Sequence, residues 1–419
     1  MSNRLTRKGA PTMKTNPKPL LAVAPLVLLA ASCGDASQDG APGTRGTLDG
    51  PDVMLNAVTD EVFTVGSVAG DDWDTFGNVR SVAFDNGGNL HIFDSQSEHI
   101  LVVGPDGSLV RTVGGRGEGP GEFGNVSSAI VARDGSYTVL SSSRVDLLAP
   151  DGNFVRSVTL EQGLILASVA LPDGRLVASQ FVRIADFMAS GEFPDPEGRR
   201  IHVIPLDGSE PTVHYTAWDL PEDPAAEDAG DDSEPGTIRL SAGRAFEPGL
   251  HFDMLTDGRL ALADSIGYRV KLIGLDGGVA GVIERPIAPL AVSETIMEAE
   301  RERYREETRQ LESVRNRTFQ IEREGAEALV FADEVPVIGD LKVDWEDRIW
   351  VTRSGPDGDD DGPTDIVTPD ARYIGTLAAD GLRTPDAFGP DGLVAYIELD
   401  ELEVPTVRVI RLVSLNPEG

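Results

Sequence analysis

The chain has 419 residues, 70 of them acidic and 36 basic, for a formal net charge of −34. That excess argues against nucleic acid and anionic lipid surfaces as partners, because their phosphates would repel it. Apolar residues at 40% and 46 glycines suit a turn-rich all-β protein, and one repeat array accounts for nearly the whole length.

Arg4, Arg7, Lys8, Lys14 and Lys18 precede an apolar run from Leu20 to Ala31, too short for a permanent membrane span. The run ends Leu29-Ala30-Ala31-Ser32-Cys33, and Cys33 is the only cysteine. The segment resembles a bacterial lipoprotein signal, although Ala30 stands where such signals usually carry Leu. The resemblance implies that residues 1–32 are a signal peptide and that Cys33 is lipidated, anchoring the protein in the bacterial cell envelope, periplasmic or at the surface. A chain with one cysteine has no internal disulfide, so packing must hold the fold. Residues 33–58 are polar, rich in glycine and without periodicity, and read as a flexible tether.

From residue 59 onward a short pattern recurs. Asn86-Gly87, Asp134-Gly135, Asp173-Gly174, Asp257-Gly258, Glu346-Asp347 and Asp391-Gly392 each sit between alternating apolar stretches, as in VAFDNGGNLHIFD. Asp-Gly between alternating strands is a strong hairpin signal, because the turn needs a positive φ. A second set of turns follows at Asp106-Gly107, Asp151-Gly152, Asp207-Gly208, Asp276-Gly277 and Asp370-Ala371. Two hairpins per repeat make four antiparallel strands, one propeller blade. The last repeat stops after its third strand, Thr406 to Val413, and an unpaired strand, Glu61 to Val68, precedes the first. The expectation is an all-β, six-bladed β-propeller over residues 59–416. The N-terminal strand closes the ring and places Phe63 beside Val409.

The first repeat carries a resemblance. FGNVRSVAFDNGGNLHIFDSQSEHILVVGPDGSLVRTVGGRGEGPGEF is similar to an NHL-type repeat, with Asp94-Ser95 before the basic His99; Asp264-Ser265 and Arg269 repeat that spacing. The resemblance, to the NHL and TolB-like propellers, implies a six-bladed ring with any ligand at its central channel.

Three insertions interrupt the array. Trp218 to Gly236 is acidic and rich in proline, and reads as a loose loop. Residues 293–329 hold helix formers throughout, with Ser293 as N-cap and Met297, Tyr304, Leu311 and Val314 as a thin apolar stripe. That predicts a helical insertion between blades four and five, either a solvated helix across the propeller, a partner-docking element, or a partial lid. The third insertion, Ser354 to Asp365, places Asp357, Asp359 and Asp361 before Gly362, with Asp365 four residues beyond Asp361. Alternate carboxylates ahead of a glycine can wrap a Ca²⁺ ion through oxygen ligands; the bidentate Glu of an EF-hand is missing, since Thr368 stands there. A weak Ca²⁺ loop and a solvated acidic turn are the two readings.

Aligning the repeats on their first turns places Arg80, Ser128, Ala167, His251, Asp340 and Pro385 in equivalent positions at the start of each blade. Arg80, His251 and Asp340 are the polar members and the candidates to line the channel. An Arg80–Asp340 ion pair and a polar ligand pocket are the two readings of that row. Gly119-Pro120-Gly121-Glu122-Phe123-Gly124 satisfies G-x-G-x-x-G but opens a strand, so it lacks the helix N-terminus a phosphate needs. The composite expectation is a monomeric, non-catalytic envelope lipoprotein that binds a protein, peptide or glycan. No nucleic acid is expected, no catalytic residue is assigned, and Ca²⁺ is the one cofactor considered. A lactonase-, hydrolase- or lyase-type enzyme is the alternative, because the fold carries such activities.

Overall fold

The computed structural model describes residues 44–67, 70, 72–117, 119–124, 126–141, 144–159, 167–170, 175–179, 199–217, 237–240, 242–313, 320–400 and 402–418. All belong to a unit spanning residues 40–419. Cys33 and its signal, and the acidic loop from Trp218 to Gly236, lie outside the described residues.

Two strands come first, β1 (Thr44–Thr47) and β2 (Met54–Val65). Three four-stranded antiparallel sheets follow in chain order. Sheet I holds β3 (Val79–Phe84), β4 (Leu90–Asp94), β5 (His99–Val103) and β6 (Leu109–Gly114). Sheet II holds β7 (Val126–Val131), β8 (Tyr137–Ser141), β9 (Arg144–Leu148) and β10 (Phe154–Thr159). Sheet III holds β11 (Ala167–Ala170), β12 (Arg175–Ser179), β13 (Arg200–Pro205) and β14 (Thr212–Thr216). Sheet IV, β15 (His251–Met254), β16 (Leu260–Ala263), β17 (Arg269–Ile273) and β18 (Val279–Glu284), gains β1 as a parallel edge strand on β18. After helix α1 (Glu294–Ser313) comes an eight-stranded sheet. Its first half is β19 (Ile338–Val343), β20 (Ile349–Arg353), β21 (Thr364–Val367) and β22 (Tyr373–Leu377). Its second half is β23 (Ala387–Phe388), β24 (Leu393–Leu399), β25 (Pro405–Pro417) and β2. The arrangement is propeller-like, with the first strands of neighbouring sheets lying together: β3 by β7, β15 by β19, and β23 by β3.

The second strand of a sheet is buried on both faces, so its alternate side chains feed two different clusters. Leu90 and Ile92 of β4 join Ala387, Leu393, Val407 and Val409 of the eight-stranded sheet. Phe93 on the other face joins Tyr137, Val139 and Leu148 of sheet II. The same division places Leu260 and Leu262 of β16 against sheet III, and Ala261 and Ala263 against β19 and β20. Each fully buried Leu or Ile contributes roughly 1.5–3 kcal/mol. Fourth strands are mostly exposed, as in Phe154–Thr159, where only Val158 is buried.

The expected pairing of the chain's two ends is present: β2 runs antiparallel to β25, and Phe63 lies opposite Val409. Two expectations need correction. The tether expected over residues 33–58 is not free along its described part: β1 pairs with β18, and Met54 and Leu55 pair in parallel with Thr376 and Leu377. These edges recruit distant partners, and nothing local in the polar segment announces them. The 293–329 insertion is not helical throughout. Its helix ends at Ser313, and Gln320–Arg323 instead pairs in parallel with Thr237–Leu240 ahead of sheet IV.

Asp173-Gly174 lies outside the described residues; the other turns fall where the sequence placed them but are built differently. Gly107 N–H donates to Gly104 O at 2.9 Å and Gly104 N–H to Ser108 O at 2.8 Å, a three-residue loop with one left-handed residue. Gly107, Gly135, Gly152, Gly208, Gly258 and Gly277 take that position with φ between +80° and +89°. The preceding aspartate is selected separately. Asp106 Oδ1 accepts the Ser108 N–H at 3.1 Å and Asp134 Oδ1 the Ser136 N–H at 2.9 Å, each closing an Asx turn. At the first hairpin Gly88, not Gly87, is left-handed, and Asp347 and Ala371 adopt the conformation without glycine.

Candidate functional site

Sequence alignment grouped Arg80, His251 and Asp340; the structure brings two of them together. His251 opens β15. Asp340 follows a register irregularity in β19 that skips Gly339, so that it lies opposite Thr352. With β15 and β19 adjacent, His251 Nδ1 is 3.8 Å from Asp340 Oδ1. Burial lowers the His251 pKa, the Asp340 charge opposes that, and Arg199 reinforces it, leaving a net downward shift. The imidazole is therefore mainly neutral at neutral pH. Arg80 is exposed and is skipped by the irregularity in β3 between Val79 and Ser81. Among the described residues no ion pair joins it to Asp340, whose neighbour at ion-pair distance is His251 instead.

The acidic insertion supplies the other wall. A cavity of about 320 Å³ is lined by His251, Asp340, Asp360, Asp361, Thr352 and Thr384, among others. Asp360 was not in the predicted set. Asp360 is solvent-exposed at the cavity mouth; crowding by surrounding groups and the charges of Asp340, Asp359 and Asp361 raise its pKa, against a lowering by Arg303. The floor is a cluster of hydroxyls: Thr352 Oγ1 lies 3.1 Å from Thr364 Oγ1 and 2.7 Å from Thr384 Oγ1. Arg383, at the rim, is already committed. It donates to Asp386 at 3.1 Å and to Ile397 O at 3.0 Å, and stacks 4.5 Å over Tyr396.

The Ca²⁺ loop as predicted is not assembled. Asp365 lies inside β21 and is fully buried, 2.7 Å from Arg285 Nη1 and 2.5 Å from the Thr376 hydroxyl that donates to it. Its carboxylate is taken up by these two partners and does not join Asp357, Asp359 and Asp361. Asp357 is exposed, and Asp359 Oδ1 accepts the Asp361 N–H at 3.3 Å. Among the described residues no group of three or more His, Cys, Asp or Glu is placed to hold a metal ion.

At the turn ends of the same first strands, the connections of several sheets converge. Arg133, from the β7–β8 turn, sits 4.5 Å over the Trp345 ring of the β19–β20 turn. Asn86 N–H donates to Arg133 O at 2.6 Å, and Thr256 N–H to Asp347 at 2.7 Å. A second, more open concavity of about 470 Å³ beside Tyr268 and Arg285 has its charges spent internally. There Arg269 pairs with Glu284 at 2.7 Å, and Arg285 with Asp365 and Asp52.

The conspicuous histidine of the first repeat is structural. His91 is 1% exposed, with Nε2 3.2 Å from Asp85 and Nδ1 3.0 Å from the Tyr137 hydroxyl. The Asp94 of the Asp-Ser pair is also structural, accepting N–H bonds from Gly77 and Asn78 at 3.0 Å each and from Gln96 at 2.9 Å.

No protein-family profile matches the chain, and no curated protein matches it. Among solved structures it is similar to a member of the DUF4221 family from Bacteroides vulgatus. That match has 11% identity and a TM-score of 0.49, and covers 88% of this chain and 100% of that one. It is also similar to virginiamycin B lyase from Staphylococcus aureus, at 10% identity and a TM-score of 0.39, covering 85% and 99%. A gluconolactonase from Xanthomonas campestris matches at 11% identity and a TM-score of 0.37, covering 90% and 99%. At these values the fold assignment rests on the strand order and register above: an all-β, propeller-type protein.

Proposed function

We propose that this is a six-bladed propeller lipoprotein of the bacterial envelope that binds a cationic group without catalysing a reaction. The group is an ammonium or guanidinium side chain of a protein or peptide partner, seated beside His251 and Asp340. Six blades follow if each half of the eight-stranded sheet counts as one. In support, apolar clusters link sheet I to sheet II, II to III, III to IV, IV to β19–β22, that half to the next, and the last back to sheet I. The NHL-like spacing of Asp94-Ser95 and His99 supports the same family reading. Anchoring through Cys33 rests on the lipoprotein-like signal; loss of membrane association in Cys33→Ser is its test. Among the described residues no helix is long and apolar enough to cross a membrane.

One observation carries the ligand class. Asp340, Asp360 and Asp361 line a single cavity, and among the described residues no Lys or Arg lies within ion-pair distance of any of them. Like charges held together are relieved by a cation, and the cavity has room for one side chain rather than a folded surface. The test is a thermal-shift panel of arginine amide, lysine amide, a neutral amide and a carboxylate. Stabilisation by the cations alone supports the reading. An equal response to all four, or none, removes it.

One observation favours an enzyme instead: a neutral imidazole beside a carboxylate is the pairing a general base uses. Turnover of a lactone or ester panel that vanishes in His251→Gln would move the assignment to a hydrolase.

A further inference from the structure

We infer that the helical insertion is a brace that fixes the acidic wall of the cleft. The inference deepens the cation-binding reading and, for its effect on ligands, rests on it. α1 starts at a real cap, since Ser293 Oγ accepts the Ile296 N–H at 3.3 Å. It is anchored by Tyr304, which packs with Ala242, Ala245, Ala326 and Leu329 and donates its hydroxyl to Glu324 O at 3.0 Å. Ile296 is 6% exposed on a helix otherwise dominated by charge.

What Ile296 covers is the acidic loop. Gly358 has φ +76°, and a methyl built there would come 2.8 Å from the Phe246 ring and 3.2 Å from Ile296 Cγ2. A side chain there must displace the Phe246 ring and crowd Ile296, and the positive φ itself favours glycine. Two turns along α1, Arg303 is aligned by Glu300 at 2.7 Å and donates to Asp357 O at 3.2 Å. From below, the loop rests on β19: a methyl on Gly339 would stand 2.4 Å from Asp360 Oδ1. The loop is thus held between α1 and the irregularity that presents Asp340.

A brace is needed there. Asp359, Asp360 and Asp361 repel one another and Asp340, and a free loop would swing outward to separate them. The contacts from Ile296, Phe246 and Arg303 oppose that motion. Asp360 then stays beside Asp340 and His251, and the cleft meets its ligand with both carboxylates already placed, which limits the ordering cost of binding.

The test compares wild type with Ile296→Ala and Gly358→Ala in the intact protein. Hydrogen exchange reads the loop at residues 354–362, and calorimetry reads arginine amide as the probe. A brace predicts loop exchange about tenfold faster in both variants, with β19 and β20 unchanged, and an arginine amide Kd weakened about tenfold. Loop exchange equal to wild type in both variants overturns the inference. So does a loosened loop with unchanged affinity. Ile296→Ala leaves the backbone at 358 untouched, so it decides the matter should Gly358→Ala disturb the sheet. Wild-type protein that takes no arginine amide overturns the cation reading alone, and the exchange data still decide the brace.

Discussion

Asp365→Asn is the substitution with the clearest expected cost. Asp365 is fully buried and receives Arg285 at 2.7 Å, Arg353 at 3.6 Å and the Thr376 hydroxyl at 2.5 Å. Arg285 is itself 5% exposed and shares Asp52 with Arg353, at 2.8 and 2.7 Å. Burial alone would lower the Arg285 pKa; the Asp365 and Asp52 carboxylates outweigh it and raise it. The asparagine leaves two guanidinium groups facing one carboxylate, and removing one partner of a buried pair costs about 3–5 kcal/mol. For a unit spanning residues 40–419, an unfolding entropy of about 2.1 cal/mol/K per residue converts this to a fall in Tm of about 4–6 °C. Differential scanning calorimetry at neutral pH measures it. Arg285→Met with Asp365→Leu removes both charges and leaves Arg353 with Asp52, so the double variant should be more stable than Asp365→Asn alone. A shift under about 1 °C for the single substitution would refute the reasoning, because it requires the pair to be solvated; so would a double variant that is worse, because the unpaired buried charge would then not be the source of the cost.

The remaining predictions address closure, the core and pH. In a Cys33→Ser background, cysteines at positions 63 and 409 should cross-link under mild oxidation, since Phe63 and Val409 are register partners; thiol counting reads the result. Trp350→Ala should cost about 3–5 kcal/mol by denaturant titration, because Trp350 is fully buried and its indole N–H donates to Asp344 at 2.9 Å. The His91 pKa is lowered, chiefly by burial and against the pull of Asp85. The unfolded chain therefore takes up a proton near pH 6.5 that the folded chain refuses, and stability present above that value is lost as pH falls below it. Melts between pH 8 and 5 should show this slope, and His91→Gln should flatten it in part.

The repeat was legible because each turn is encoded locally. An aspartate that closes its own Asx turn and a glycine that takes the left-handed position need no distant partner, and together they place the hairpins. The pairing of β2 with β25 was legible by counting, from one strand spare at the start and one missing at the end. β1 and Met54–Leu55 were not legible, because parallel edge pairing draws on residues more than two hundred positions away. The site was half legible. Alignment on the turns found His251 and Asp340, since equivalent positions open adjacent first strands. The D-x-D-x-D spacing misled in part: of its members Asp361 lines the cavity, but Asp357 is exposed and the chain enters β21 at Thr364 and buries Asp365. Asp360, which the spacing passes over, lines the cleft with Asp361. Its one signal in the sequence is Gly339 just before Asp340, the small residue that lets a carboxylate rest on the strand.

The most direct measurement is a calorimetric titration of arginine amide into the protein, repeated with Asp340→Asn/Asp360→Asn. A saturable heat in the wild type that disappears in the double variant, while the melting temperature is kept, is what a carboxylate cleft for a cationic group requires. Absence of heat in the wild type, or an isotherm the two substitutions leave unchanged, contradicts it.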